Sequence, residues 1–228
     1  MKSSIAPAAK KYLVEFVVIV AGISLSFLIN EWRQEAAIEN DLLAIRQSLL
    51  ADKENLELLL EDHSGSLDAL QVLVMHSLSD EPVDDISETV KGLSASYATF
   101  FPKVGAWNVL VSSGNLRWLK NSDLRASLTD YYDYIVPKVL DNNTLFDQNM
   151  SLGLLKWISG RYRTGIKAFT NSPITLKDIR ETEFRIKLGE SVGHYTWYVD
   201  LLDMALKQVG RRLILLKRLP KDFDYVRL

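Results

Sequence analysis

Residues 12 to 29 read Tyr12-Leu13-Val14-Glu15-Phe16-Val17-Val18-Ile19-Val20-Ala21-Gly22-Ile23-Ser24-Leu25-Ser26-Phe27-Leu28-Ile29, eighteen residues with a single charge, Glu15. At ~1.5 Å per residue a helix of this length covers roughly 27 Å, close to the hydrocarbon thickness of a bilayer. Apolar residues surround the whole helix instead of forming one stripe, which argues against a core helix of a globular domain. Tyr12 and Trp32 stand at the two ends, where amphipathic rings favour the headgroup layer. A cleaved signal peptide is the competing reading, since Lys2, Lys10 and Lys11 precede the run. No small-residue cleavage site follows it, and the chain continues into the polar Asn30-Glu31-Trp32-Arg33-Gln34-Glu35 without a break. An uncleaved transmembrane helix over residues 12–30 is therefore expected.

Three lysines precede the span, whereas Arg33 beyond it is flanked by Glu31 and Glu35. The positive-inside rule then expects residues 1–11 as a cytoplasmic tail and residues 31–228 as an extracytoplasmic domain. For a Gram-negative bacterium this means the inner membrane, with the C-terminal domain in the periplasm. Inside the span Glu15, Gly22 and Ser26 share one helical face, spaced by seven and then four. Gly22-x-x-x-Ser26 lets another helix approach closely, and a membrane carboxylate needs a partner, so this face is the candidate contact for a second copy or a second membrane protein. Alternatively, Glu15 snorkels toward the cytoplasmic surface or pairs with Lys11.

Beyond the span, Ile38, Leu42, Ile45, Leu49, Leu56 and Leu59 recur at heptad-like spacing over residues 31–63, interrupted at an inward position by Asp52. Residues 31–62 carry nine acidic and three basic side chains, an excess that anionic headgroups repel. Ser64-Gly65-Ser66 reads as a turn or kink, and Ser79-Asp80-Glu81-Pro82 as a helix end. A short capped helix is expected from about Asp85–Ser87 to Ala98, then an apolar connector at Phe100-Phe101-Pro102. A helix over Val104–Val111 stops at Gly114, a residue suited to a left-handed cap. Asn121-Ser122-Asp123 caps the next helix, which Pro137 kinks without ending and which continues over 140–169. Asn171-Ser172-Pro173 breaks the chain before a last long helix from Asp178 or Thr182 to Leu219. Strand signals are sparse. The expected fold is all-α: an N-terminal transmembrane helix followed by an antiparallel helical bundle, with no linker dividing the outer region.

Two stretches carry a family resemblance. The first is Tyr12-Leu13-Val14-Glu15, Gly22-Ile23-Ser24-Leu25-Ser26-Phe27 and Asn30-Glu31-Trp32. The second is Ala106-Trp107-Asn108-Val109-Leu110-Val111-Ser112-Ser113-Gly114-Asn115-Leu116, with Lys120-Asn121-Ser122-Asp123-Leu124-Arg125 and Tyr131-Tyr132. Together they resemble an uncharacterised bacterial family, a domain of unknown function. The resemblance implies a short single-pass membrane protein with a helical outer domain; the family has no established activity to transfer, so function stays open. The second stretch also has a reading of its own. Ser112 and Ser113 can bond the carbonyls of the ending helix, with Gly114 and Asn115 forming a corner over Trp107, Leu116 and Trp118. A ligand pocket at Ser112, Ser113 and Asn115 is the competing reading.

The chain has 228 residues, a net charge of −2, no cysteine and three histidines. These values exclude a disordered or strongly basic chain, disulfides and thiolate chemistry. No zinc-peptidase, nucleophile-elbow, phosphate-loop or dinucleotide motif is present, and His63, His76 and His194 lie far apart. No catalytic residue, cofactor, metal or nucleic-acid partner is expected. Aromatic residues from Trp107 onward read as core, or as a cleft for an aromatic or cationic ligand. Arg211, Arg212, Lys217 and Arg218 read as complements to a helix dipole. Two functions remain: a membrane-anchored, non-enzymatic interaction or scaffold protein, or a small-molecule-sensing bundle acting through a partner.

Overall fold

A computed structural model describes residues 5–81, 86–92, 98–154, 156–158 and 174–217. The fold is all-α, with no strand among the described residues. Its helices include α1 (Ile5–Leu78), α2 (Ser87–Gly92), α3 (Gly105–Ser112), α4 (Ser122–Asp130), α5 (Val136–Leu152), α6 (Leu176–Arg180) and α7 (Thr182–Lys217). A 3₁₀ turn, Asn115–Trp118, follows α3, and a π-turn, Tyr131–Ile135, joins α4 to α5. By contacts the chain forms two compact units.

The first unit takes its described residues from 5–45 and 105–120. Ile38, Leu42 and Ile45 of α1 are buried in it, as are Trp107 and Leu110 of α3 and Leu119 after the 3₁₀ turn. The second unit comprises the described parts of 46–104 and 121–220. Its core combines Leu49, Leu56, Leu59, Leu70 and Leu73 of α1 with Leu124, Leu128, Val139 and Phe146 of α4 and α5. Phe184, Leu188, Tyr195, Tyr198, Leu202 and Val209 of α7 complete it.

The expected turn at Ser64-Gly65-Ser66 does not form: α1 runs through it to Leu78. Glycine costs a helix about 1 kcal/mol. That cost is outweighed where His63, Ser66 and Leu70 on the same stretch are all buried in the core. The expected stop after Leu78 is observed. α2 is helical to Gly92, Ala98 is not helical, and residues 93–97 lie outside the described residues. So does the expected break at Asn171-Ser172-Pro173; of the helix expected over 140–169, α5 ends at Leu152 next to Gly153, and Leu154 and residues 156–158 are again helical. The last long helix starts at Thr182, as α7. The other expected start, Asp178, lies in the short α6, which opens on a Thr175–Asp178 capping box and is set off by the extended Glu181. The expected end at Leu219 lies outside the described residues.

Pro137 is accommodated by the π-turn. Proline has no N–H and its ring crowds the carbonyl four residues back, so a widened turn just before it relieves both problems. The Val136 N–H reaches back to the Tyr131 carbonyl. Widening also turns the consecutive residues Tyr131 and Tyr132 inward together, with rings 4.9 Å apart edge to face.

Candidate functional site

Along the first part of α1 every residue from 11 to 33 is exposed. An 18-residue window there has a mean hydropathy of 2.3, and none of it is buried. Ser26 Oγ donates to the Gly22 carbonyl at 2.9 Å. A side chain added at Gly22 would meet no atom within 4 Å. These two small residues line a shallow groove with Val18, Ile19, Ile23 and Phe27. Glu15 lies 4.0 Å from Lys11 one helical turn earlier.

The corner of the first unit is built as the spacing expects, with one exception. Ser112 Oγ donates to Val109 O at 3.3 Å, a carbonyl that also accepts the Ser113 N–H at 2.9 Å, and Ser113 Oγ donates to Leu110 O at 3.1 Å, so both serines bond the last turn of α3. Gly114 has φ +75°, a left-handed conformation that costs other residues energy, and its N–H reaches Val111 O at 3.0 Å. Asn121, which opens the next stretch of the second unit, accepts from Leu124 N at 2.9 Å through Oδ1 and caps α4. Trp107 is buried beneath the corner and Leu116 half-buried, but Trp118 is not packed there. Leu119 takes the inward place, because the tight 3₁₀ turn rotates Trp118 outward, where the Arg117 guanidinium lies 5.1 Å from its ring centre. Asn115 spends its side chain on α1, donating to Asp41 Oδ2 at 2.8 Å.

The second unit contains a polar cluster that the spacing only hinted at. The connector at 98–104 has no secondary structure of its own, yet Phe100 in it is buried, so its backbone polar groups need partners. Side chains from three helices supply them. His63 Nε2 donates to Ala98 O at 2.8 Å. Phe100 N donates to Tyr198 Oη at 3.1 Å, Tyr198 Oη donates to Asn143 Oδ1 at 2.9 Å, and Asn143 Nδ2 closes the ring on Phe100 O. Both carboxylate oxygens of Asp52 accept from Lys103 N, at 3.1 and 3.2 Å. Asp52 and His63 therefore occupy inward positions of α1 because they hold a buried loop.

The electrostatics follow from this burial. Asp52 is 1% exposed. Burial pushes its carboxyl up to about 6, against the opposing pull of the Lys103 N–H and ammonium. Burial lowers the His63 pKa, since its Nδ1 has no partner among the described residues and its ring is enclosed by Phe146, Tyr195 and Tyr198 at 4.9–5.7 Å. Tyr198 is pushed up to about 12 by burial. Tyr131 and Tyr132 are raised by burial and then by the Asp52 charge.

Arg212 departs from its expected role as a dipole complement. It is 3% exposed and ties two helices together: Nε donates to Ser127 O at 3.2 Å, and an Nη donates to Asp130 Oδ2 at 2.7 Å. Its own-helix bonds go to the Gln208 carbonyl and side chain. Glu190 pairs with Lys187 at 2.7 Å, and His194 Nδ1 stands 3.3 Å from Asn149. Among the described residues no three His, Asp or Glu side chains group to hold a metal ion.

These features define an all-α protein with a bare apolar N-terminal helix and a core whose buried polar side chains pin an internal loop. The chain belongs to DUF6090, a family of unknown function, whose pattern matches residues 15–173. No curated protein and no solved structure matches it significantly. The matched stretch takes in Gly22, Ser26, the Gly114 corner, Asp52, His63 and Asn143, and reaches past residue 140. Asn143 carries no signal in the sequence, and Tyr198 stands out only among the aromatics read as core or as a cleft. The available signal was Asp52 inside an apolar stripe, with His63 eleven residues on and thus on the same face.

Proposed function

We propose that this protein is a single-pass, membrane-anchored, non-enzymatic interaction or scaffold subunit of the bacterial envelope. Its N-terminal tail lies in the cytoplasm and its helical remainder beyond the inner membrane. One observation carries the reading: among the described residues, an 18-residue window of mean hydropathy 2.3 has no part of it buried. Leaving such side chains in water forfeits on the order of 1.5–3 kcal/mol each, a cost that a bilayer removes. The lysines before the span support the orientation, and the open Gly22–Ser26 face supports association with a second membrane helix.

The absence of native cysteine makes the topology directly testable. A single cysteine at Asp203 should react with a membrane-impermeant maleimide in spheroplasts, and one at Ser4 only after lysis; the reverse pattern would overturn the orientation. Alkaline extraction should leave the protein in the membrane pellet. Recovery of the intact protein in mild detergent should bring a stoichiometric companion or a homo-oligomer, and a lone monomer at every protein level argues against the scaffold role.

A further inference from the structure

We infer that the 3₁₀ turn carrying Arg117 and Trp118, together with Lys120, is a second membrane contact, seated on the headgroup layer beside the anchor. The inference rests on the anchored reading above. Its geometry lies within the first unit. Asn115 is held to Asp41 at 2.8 Å, and Lys120 Nζ lies 2.5 Å from Glu35 Oε1. Lys120 also feels the charge of Glu31, which, after the hydrogen bond and charge of Glu35, raises its pKa. The segment from 115 to 120 therefore descends along α1 toward the apolar run, by about 9 Å between the levels of Asp41 and Glu35.

The depth follows by arithmetic. If the run ending at Ile29 fills the hydrocarbon, Glu31 and Glu35 lie about 3 and 9 Å beyond its edge at ~1.5 Å per residue. Headgroups occupy roughly the next 5–8 Å on each side of a bilayer. Lys120, at ~9 Å, thus stands just above the headgroups, and Trp118, two residues earlier on the descending segment, lies a few ångströms higher, within the length of an indole side chain of them.

The chemistry suits that layer. Trp118 is 49% exposed although the turn that carries it is anchored at both ends. Arg117 stacks over it at 5.1 Å, presenting a guanidinium beside an amphipathic ring. Trp32, also exposed, sits at the end of the run on α1. Tryptophan rings concentrate at the membrane interface, and arginine and lysine attract anionic headgroups. Residues 31–45 carry four carboxylates and one arginine, whereas 105–120 carry only Arg117 and Lys120, so the turn brings cations to a stretch that phosphates would otherwise repel.

The test uses the full chain in vesicles of phosphatidylcholine and phosphatidylglycerol with acyl chains brominated near the glycerol. Variants retain one tryptophan each: Trp118, Trp32, or Trp197 on α7 as reference. Trp118 and Trp32 should be quenched roughly twofold or more above Trp197. Quenching of Trp32 with Trp118 at the Trp197 level overturns this contact and leaves the anchor standing. Quenching of neither overturns the anchor and this contact with it. Because replacing buried Trp107 can disturb the corner, a nitroxide at R117C in the otherwise native chain gives a second readout. Its accessibility to oxygen relative to a water-soluble nickel chelate should exceed that of a label at K207C; equal ratios overturn the inference.

Discussion

Phe16 and Phe27 stand 63% and 70% exposed, whereas Leu49, Leu56 and Leu70 are fully buried, although one uninterrupted helix carries all five. The difference lies in what surrounds each apolar residue. Around Phe16 and Phe27 the helix is apolar on every side, so no single partner face in the chain could cover it. Around Leu49–Leu70 the apolar residues form a stripe bordered by charges, and helices of the second unit cover that stripe. The distal half also admits polar residues inward: Asp52 and His63 both bind the connector. Mean hydropathy already separates the two halves, being 2.3 in the first and far lower over 49–70, where charges are frequent. The angular distribution of the apolar residues decides what can cover them.

The largest expected effect tests burial itself. Phe146→Ala should lower the unfolding free energy by about 3–5 kcal/mol in denaturant titrations, because Phe146 is enclosed by His63, Tyr195 and Tyr198. Phe27→Ala should leave that transition where it is. Equal costs would break the contrast between the halves. Next, Ile19→Arg should impair membrane retention, since an arginine near the centre of a span costs about 2.5–3.5 kcal/mol on insertion scales, while Leu43→Arg should not. Fractionation with alkaline extraction reads both.

The buried pair gives opposed pH effects. Unfolded, Asp52 titrates near 3.8, and folded, near 6, so between those values the folded chain holds a proton that the unfolded chain has lost. Stability from this group falls as pH rises through that interval and is flat above it, a change of up to about 3 kcal/mol. The stability of the native chain minus that of Asp52→Asn should therefore grow as pH falls from about 6 to 4, and a constant difference would remove Asp52 as the cause. His63 works the other way: its pKa is depressed, so its contribution is lost as pH falls below its ordinary value of 6.5. The smallest effect is at the corner. Gly114→Ala should cost about 1–2 kcal/mol through the left-handed backbone, read as a lower melting temperature, and Gly22→Ala in open space should not change it.

Much of the architecture is local in origin and was readable without coordinates. A run apolar on all faces, a serine pair before Gly-Asn, and Asn121 ahead of a helix each act through neighbours in the chain, within one or two turns. The whole stripe from Ile38 to Leu59 is buried as its periodicity requires. Two readings that differ from the structure do so each for its own reason. Ser64-Gly65-Ser66 has turn composition, but the burial of His63 and Ser66 against distant helices outweighs about 1 kcal/mol of helix propensity. Trp118 and Leu119 exchanged places because one residue of turn geometry decides which faces inward.

By itself, then, the amino-acid order determined the helical class, the bare apolar end and the Gly114 corner, since these depend on periodicity and on hydrogen bonds between near neighbours. Only the tertiary structure decided what Asp52, His63, Asn143, Tyr198 and Arg212 do. Each satisfies a backbone or side-chain group tens of residues away, and the partner of a buried polar atom is set by which helices meet around it.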